Sequence, residues 1–301
     1  MKRRGILSFH PMIPGDRFVW IQNWVDEALC SHLREAGAVI LPQCLDAEFY
    51  HLVRGLCPRV FPNYDTRFKW EGKVGDAMLF WSMGVPHPKT TVFPRLTSLL
   101  GDHSEMGKPP FQLPSMPFVV KSKRGGEGQG TWLIRDKKEL KRVLEILKKE
   151  ELNGRSGFVI QEYIEGIDRD LRVVVIGRHV ESYWRLKQGP GFHSNIARGG
   201  KIEKNLDPHL KRVGEEMVLD LCRKTGINLA GFDIIFKRGD PCFLEINYTF
   251  GRSGIGGSER FYSILKKEVE AWLDSIGMGT PSRDQSSQEA LKYAQPDMEG
   301  E

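Results

Sequence analysis

Residues Ala230 to Asn247 read AGFDIIFKRGDPCFLEIN, two apolar runs of strand composition on either side of a KRGDP turn. With the turn centred on Gly239, an antiparallel ladder sets Asp233 opposite Glu245. Two like charges so opposed weaken a sheet by roughly 0.2 to 1 kcal/mol. The apolar neighbours Phe232, Ile234, Phe243 and Leu244 raise that cost, so something positive is expected between the carboxylates. Asn247, two residues beyond Glu245, projects from the same face and adds a carbonyl oxygen. A hard-oxygen set of Asp, Glu and Asn suits Mg²⁺, which takes one or two carboxylates and completes its octahedron with phosphate oxygens and water. In the competing reading each carboxylate pairs with a surface Lys or Arg.

Upstream, FVVKSKRGGEGQGTWLI (118–134) predicts strand Phe118 to Lys121, a turn with Gly125, Gly126, Gly128 and Gly130, and strand Thr131 to Ile134. Glycines let backbone N–H groups approach an anion unobstructed. Thr131 follows Gly130 where a Walker loop needs Lys, and a strand rather than a helix comes next, so this is neither a P-loop nor a dinucleotide fingerprint. Lys121, Lys123 and Arg124 make the turn a basic lid suited to polyphosphate; its plain alternative is a hairpin loop.

Between these lies the stretch 158–200, in which Gln161, Glu162 and Tyr163 end an apolar strand where backbone groups and an acid could meet an adenine edge. Asp170 opens the next strand and could accept ribose hydroxyls. Arg172, Arg185 and Arg198, with Asn195, Gly199 and Gly200, place guanidinium forks suited to carboxylate or phosphate.

Lys121 before a glycine-rich loop, the QEY hinge, the D-x-R strand (Asp170, Arg172), the F-x-S-N-x-x-R-G-G stretch from Phe192 to Gly200 and the G-F-D … E-I-N ending together resemble an ATP-grasp ligase. Within that superfamily the chain is most similar to RimK-like carboxylate–amine ligases, the group holding ribosomal-protein glutamate ligases and LysX-type ligases, over about Lys73 to Ile276. The resemblance implies two α+β lobes gripping ATP behind a small N-terminal α/β domain. It implies Lys73 and Lys121 as the two ATP lysines, Glu162 and Tyr163 at adenine, Asp170 at ribose, and Asp233, Glu245 and Asn247 around two Mg²⁺ ions, with Mn²⁺ as an alternative. His193, Ser194, Asn195 and Arg198 fall in the stretch beside the phosphate and acyl intermediate, and Arg185 matches an Arg near the substrate. His193 stands where the glutamate ligases commonly carry Arg. The run from Tyr248 to Gly254 replaces the family's small residues and Pro-Gly, so Tyr248, Phe250 and Arg252 point to an acceptor unlike the familiar ones.

Apolar spacing marks an N-terminal α/β domain (1–86) and composition a polar tail (279–301) expected to be disordered, and the resemblance implies that the chain between them forms the two ATP-grasp lobes (87–160 and 161–278). In the first domain, Gly5 to Phe9, a helix through Trp20, Trp24, Leu29 and Leu33, and Ala38 to Leu41 predict a β-α-β unit with a parallel sheet. A helix from Val74 to Met83 is stopped by Gly84-Val-Pro-His-Pro88. Further helices are expected near Leu140–Leu147, Pro208–Thr225 and Glu259–Ile276, with strands at Phe158–Tyr163, Leu171–Ile176 and His179–Leu186.

The 301 residues are 40% hydrophobic and 28% charged with net charge +5, ordinary globular composition. The tail carries −3, which leaves +8 on residues 1–278, an excess that the lysines and arginines above assign to small anionic substrates. The mixed charges on the Lys137–Glu151 helix read as a solvated face rather than a nucleic-acid surface. No apolar run reaches the roughly 18 residues of a membrane helix, so a cytoplasmic protein with reduced cysteines is expected. The chemistry implied is ATP-dependent amide or peptide bond formation between a carboxylate and an amine borne by an amino acid, peptide or protein terminus; family relatives often assemble, which makes a homo-oligomer a further expectation. A small-molecule kinase of the same fold and an ATP-binding scaffold without turnover are the alternatives.

Overall fold

Short runs that are apolar on both faces must be covered on both faces, and such strands go to parallel sheets. The computed structural model describes residues 5–20, 25–101, 111–123, 130–187 and 200–279. Its first sheet uses Ile6–Ser8 (β1) and Arg17–Phe18 (β2), followed by helix Glu27–Glu35 (α1), Ala38–Ile40 (β3), helix Ala47–Leu56 (α2), Val60–Phe61 (β4) and the short helix Asp65–Lys69 (α3). The strands run in the order β2-β1-β3-β4, all parallel, as the β-α-β pattern predicts. One expectation is corrected. The helix does not extend back to Trp20, because residues 17–18 pair with β1 and the Asp26 side chain accepts the Leu29 N–H at 2.8 Å, capping α1 there. Trp24 lies outside the described residues.

Helix Gly72–Met83 (α4) carries the chain to the second sheet and ends at Gly84 in the left-handed conformation. That sheet comprises Thr90–Phe93 (β5), a short helix Thr97–Leu100 (α5), Phe118–Ser122 (β6), Thr131–Ile134 (β7), helix Lys137–Leu152 (α6) and Phe158–Glu162 (β8). It is antiparallel, in the order β5-β8-β6-β7. Helix α6 buries Val143 and Leu147 against it and leaves Lys137, Lys138, Lys141 and Lys148 exposed.

The third sheet holds Arg169–Ile176 (β9), His179–Leu186 (β10), Lys201–Glu203 (β11), helix Pro208–Thr225 (α7), Leu229–Lys237 (β12), Asp240–Asn247 (β13) and helix Gly257–Ser275 (α8). Its order is β11-β10-β9-β12-β13, antiparallel throughout. Asp233 does face Glu245, by a route the sequence pattern hides. The turn is two residues, Arg238 and Gly239, both at positive φ (55° and 92°), which pairs Lys237 with Asp240. A register shift between Asp233 and Ile234 then restores the expected pairing.

Alternation along β9 sends Val174 and Ile176 to one face and Leu171, Val173 and Val175 to the other. The first face packs on α8 through Phe261, Leu265 and Val269, together with Ile6, Ile40 and Phe61 of the first sheet. The second packs on α7 through Val218 and Leu221 and on α4 through Leu79 and Phe80. Between β13 and α8, Gly254 lies against the Tyr183 ring, which is 1% exposed. In the loop after β1, His10 is 5% exposed, accepts the Met12 N–H on Nδ1 at 3.1 Å and meets Tyr262 of α8 edge-on. Burial, then the nearby Arg252 charge, push the His10 pKa down to about 4.

A Cβ at Gly254 would stand 2.0 Å from Tyr183 Cζ. Because that ring cannot withdraw, Gly254→Ala is expected to cost about 3 kcal/mol in urea unfolding; an unchanged midpoint would show that the loop yields freely. His10 titrates near 6.5 unfolded and about 4 folded, so between those values the unfolded chain binds more protons. Its contribution is therefore present above pH 6.5 and lost as pH falls towards 4, about 3 kcal/mol in all. Unfolding at pH 6.8 and 4.2 is expected to show a smaller loss on acidification in His10→Gln than in the parent chain.

Candidate active site between the second and third sheets

Two lysines distant in sequence meet because α4 starts against the end of β6. Gly72 has φ +66°, and a Cβ there would lie 2.2 Å from the Lys123 carbonyl oxygen; without it the Lys73 N–H donates to that oxygen at 3.1 Å. Lys73 in the first turn of α4 and Lys121 on β6 then line one cleft with Asp76, His87, Thr90 and Gln161. Burial pushes both lysine pKa values down, and the Glu245 carboxylate is the foremost charge opposing that in each case. Among the described residues no carboxylate lies within ion-pair distance of Lys121, although the residue is only 6% exposed. The cleft is narrow, about 10 Å³, the space of a single water.

Behind Glu245 runs a row of charge across the third sheet. Register pairs Arg185 of β10 with Asp170 of β9, Arg172 of β9 with Asp233 of β12, and Asp233 with Glu245 of β13. Arg172 donates to both oxygens of Asp233, from Nη2 at 3.1 Å and more closely from Nε. Arg185 donates to Asp170 Oδ1 at 2.6 Å and sits 2.9 Å from Asp233 Oδ2. Asn247 Nδ2 donates to Asp233 at 3.2 Å and to Glu245 at 3.1 Å. The positive charge expected beside Asp233 thus comes from two buried arginines, not from surface side chains. Burial alone would lift the Asp233 pKa, but the Arg172 and Arg185 charges outweigh it and hold the carboxylate below the usual range. For Asp170 burial wins and its pKa rises.

Two residues expected in the site fall within this row. Asp170, expected at a ribose, is buried with its carboxylate on Arg185 and is the counter-ion of that guanidinium. Arg185, expected to face substrate, pairs with Asp170 through Nε and with Asp233 through Nη2. Gln161 is buried in the cleft wall and donates to Thr90 Oγ1 at 2.9 Å. Glu162 accepts the Lys89 N–H at 2.8 Å and Lys237 Nζ at 3.0 Å, which ties the second sheet to the tip of the third; Tyr163 follows at the exit of β8. Gly130 has φ +66° and its carbonyl accepts the Ser122 N–H. Gly125, Gly126, Gly128, His193, Ser194, Asn195 and Arg198 lie outside the described residues, as does the tail from 280 onward.

Asp76 was not singled out by the motifs, though its i+3 spacing from Lys73 on one helix face is a legible signal. Its buried carboxylate accepts the Ile246 N–H at 3.2 Å, between Glu245 and Asn247. Burial first, and Glu245 with it, push its pKa up to about 8 against that hydrogen bond.

The donor chemistry fits a metal-bound nucleotide: two buried ammonium groups in the cleft, and near enough to act on them electrostatically the Glu245 carboxylate, which Asn247 links to Asp233. Among the described residues no group of three His, Cys, Asp or Glu side chains could hold a metal by itself, so a cation here would rest on Asp233, Glu245 and Asn247 with phosphate and water.

Residues 95–264, more than half of the chain, match the family model of the RimK-like ATP-grasp domain. A probable alpha-L-glutamate ligase of Pasteurella multocida (strain Pm70) is 32% identical over 183 residues, 56% of each chain. A second from Xanthomonas oryzae pv. oryzae is 33% identical over 143 residues, 47% of this chain and 46% of that one. The chain therefore spans about half the length of the curated relatives it matches. In fold it is similar to D-alanine–D-alanine ligase from Bacillus anthracis complexed with ATP, with TM-score 0.60 at 18% identity over 87% of both chains. A RimK domain ATP-grasp protein from Sphaerobacter thermophilus gives TM-score 0.54 at 16% identity, over 77% of this chain and 81% of that one. With its antiparallel sheets set about one lysine-lined cleft, the chain belongs to the RimK-like ATP-grasp family.

Proposed function

We propose that this chain is an ATP-dependent carboxylate–amine ligase that forms an amide or peptide bond. The observation that carries the reading is the buried Lys121 ammonium, without a carboxylate at ion-pair distance among the described residues yet within electrostatic reach of Glu245 and Asp233, which Asn247 links. Such a site needs a ligand that is anionic towards the lysines and metal-bearing towards the carboxylates, and ATP with Mg²⁺ is both. When bound, the nucleotide supplies the phosphoryl group that makes a carboxylate an acyl phosphate, from which an amine displaces phosphate.

The chain's own residues do the positioning and charge neutralisation. Lys73 and Lys121 neutralise phosphate oxygens; Glu245, Asp233 and Asn247 hold the metal, two ions by family resemblance. Arg172 and Arg185 keep Asp233 ionised and aimed, and Asp170 keeps Arg185 in place. Asp76 fixes the β13 backbone between Glu245 and Asn247. Gln161, Glu162 and Tyr163 would meet the adenine where β8 ends, with the glycine loop over the phosphates and Asn195 and Arg198 beside the acyl group, as in the family. We assign residues 1–86 to an N-terminal domain and 87–160 and 161–278 to the two lobes. The relatives' names support an amino acid as the amine substrate. Among the described residues no helix is long and apolar enough to cross a membrane, and we place the reaction in the cytoplasm.

Glu245→Gln removes a metal charge while keeping an acceptor for Asn247 and relieving the repulsion with Asp233. The variant is expected to stay as stable as the parent in thermal unfolding while ADP release and amide formation, followed by mass spectrometry with amino acids and candidate carboxylates, fall by about 100-fold or more. Undiminished amide formation would sink the metal assignment.

A further inference from the structure

Glu245 and Asn247 lie on the outer strand of the third sheet. β13 has β12 on one side only, and such a strand presents N–H groups that no ladder takes up. The register shift beside Asp233 and Ile234 also leaves Leu244 without a partner on β12, so the ladder is interrupted one residue before Glu245. The two residues assigned to a cation thus sit where the sheet by itself constrains them least.

Helix α4 and the turn after it close that edge. The Pro86 carbonyl accepts the Phe243 N–H at 2.9 Å, and the Phe80 ring stacks on Phe243 with centroids 5.2 Å apart. Both contacts lie before the interruption. Beyond it, Asp76 Oδ2 accepts the Ile246 N–H at 3.2 Å. Among the described residues this is the one hydrogen bond that reaches the backbone between Glu245 and Asn247 from outside the sheet.

The same turn of α4 carries the phosphate side of the cleft. Asp76 follows Lys73 by three residues, which puts both side chains on one helix face, and both line the cleft with Lys121. The Lys73 N–H is bound in turn to the Lys123 carbonyl, two residues beyond Lys121. At Gly75, between Lys73 and Asp76, a Cβ would stand 2.1 Å from the Trp70 carbonyl carbon, so this turn is seated directly on the Trp70 peptide and has little room to shift. One turn of helix therefore joins the strand of Lys121 to the strand of Glu245. The bond to Ile246 needs an acceptor and not a charge, since an amide oxygen would serve as well.

We propose that Asp76 is a positioning residue through which cation and nucleotide bind cooperatively: its bond to Ile246 holds Glu245 and Asn247 at a fixed separation from Lys73 and Lys121. The identity of the ligands, a nucleoside polyphosphate and a divalent cation, rests on the ligase reading; the link across α4 does not. A divalent cation in this site has to meet carboxylate and phosphate oxygens at once and tolerates little error in their spacing. A strand free to drift at its interrupted edge would still let each ligand bind, but would weaken the gain that each gives the other. That gain is a single factor, the same whichever ligand is taken as the effector.

The test is calorimetric binding of ADP to the full chain, in EDTA and in MgCl₂, with the ratio of the two dissociation constants as the readout. In the parent chain Mg²⁺ is expected to tighten ADP about tenfold or more. Asp76→Leu, of similar size and without an acceptor, is expected to lower that ratio about fivefold or more, with the loss falling in the Mg²⁺ arm. Asp76→Asn keeps an acceptor for Ile246 and is expected to retain the parental ratio, which tests the proposal even if Asp76→Leu folds poorly. An unchanged ratio in folded Asp76→Leu, equal weakening in both arms, a lowered ratio in Asp76→Asn, or a parent chain that binds ADP alike with and without Mg²⁺ would each overturn it. A parent chain that binds no ADP in either medium would sink the ligase reading, and the coupling with it.

Discussion

Asp233 is held from two strands at once, by Arg172 of β9 and Arg185 of β10, and much of the third sheet is arranged to make that possible. A buried carboxylate is costly unless paired and fully hydrogen-bonded. Here the two guanidinium groups and Asn247 satisfy Asp233, Asp170 balances Arg185, and the two arginine charges offset the two aspartates. Replacing such a cluster by apolar side chains is often neutral or favourable to stability. Its presence in the buried third sheet therefore fits a functional use, namely keeping one carboxylate ionised and oriented beside Glu245.

Helix α4 connects that row to the lysines. Its first turn hangs on Lys123 through the space left by Gly72, its middle contributes Asp76 to the β13 backbone, and Leu79 and Phe80 enter the core under β9 and β12. One helix thus sets the second sheet against the third.

The arrangement also sets two basic sites apart. The cleft between the second and third sheets holds two buried lysines, while a second cavity, beside Arg252, has one cation and no acidic residue in its lining. The modest basic excess of the folded chain is accordingly divided among sites, and several arginines are consumed internally by aspartates.

The sequence by itself determined the ladder that opposes Asp233 to Glu245, the parallel N-terminal sheet, the approximate extent of α7, and the ordered motifs from Lys121 to Asn247. Those features rest on local periodicity and turn chemistry, which a linear reading retains. Tertiary structure decided what those side chains touch. That Arg172 and Arg185 share Asp233, that Asp170 pairs with Arg185, and that Asp76 reaches Ile246 all depend on strand order β10-β9-β12-β13 and on where α4 lands. The hairpin shows the boundary most directly: a two-residue turn and a compensating register shift yield the pairing that a turn centred on Gly239 would have given. Spacing could not distinguish the two routes, because the shift comes from how β12 and β13 fit together in the sheet and leaves no mark in residue type.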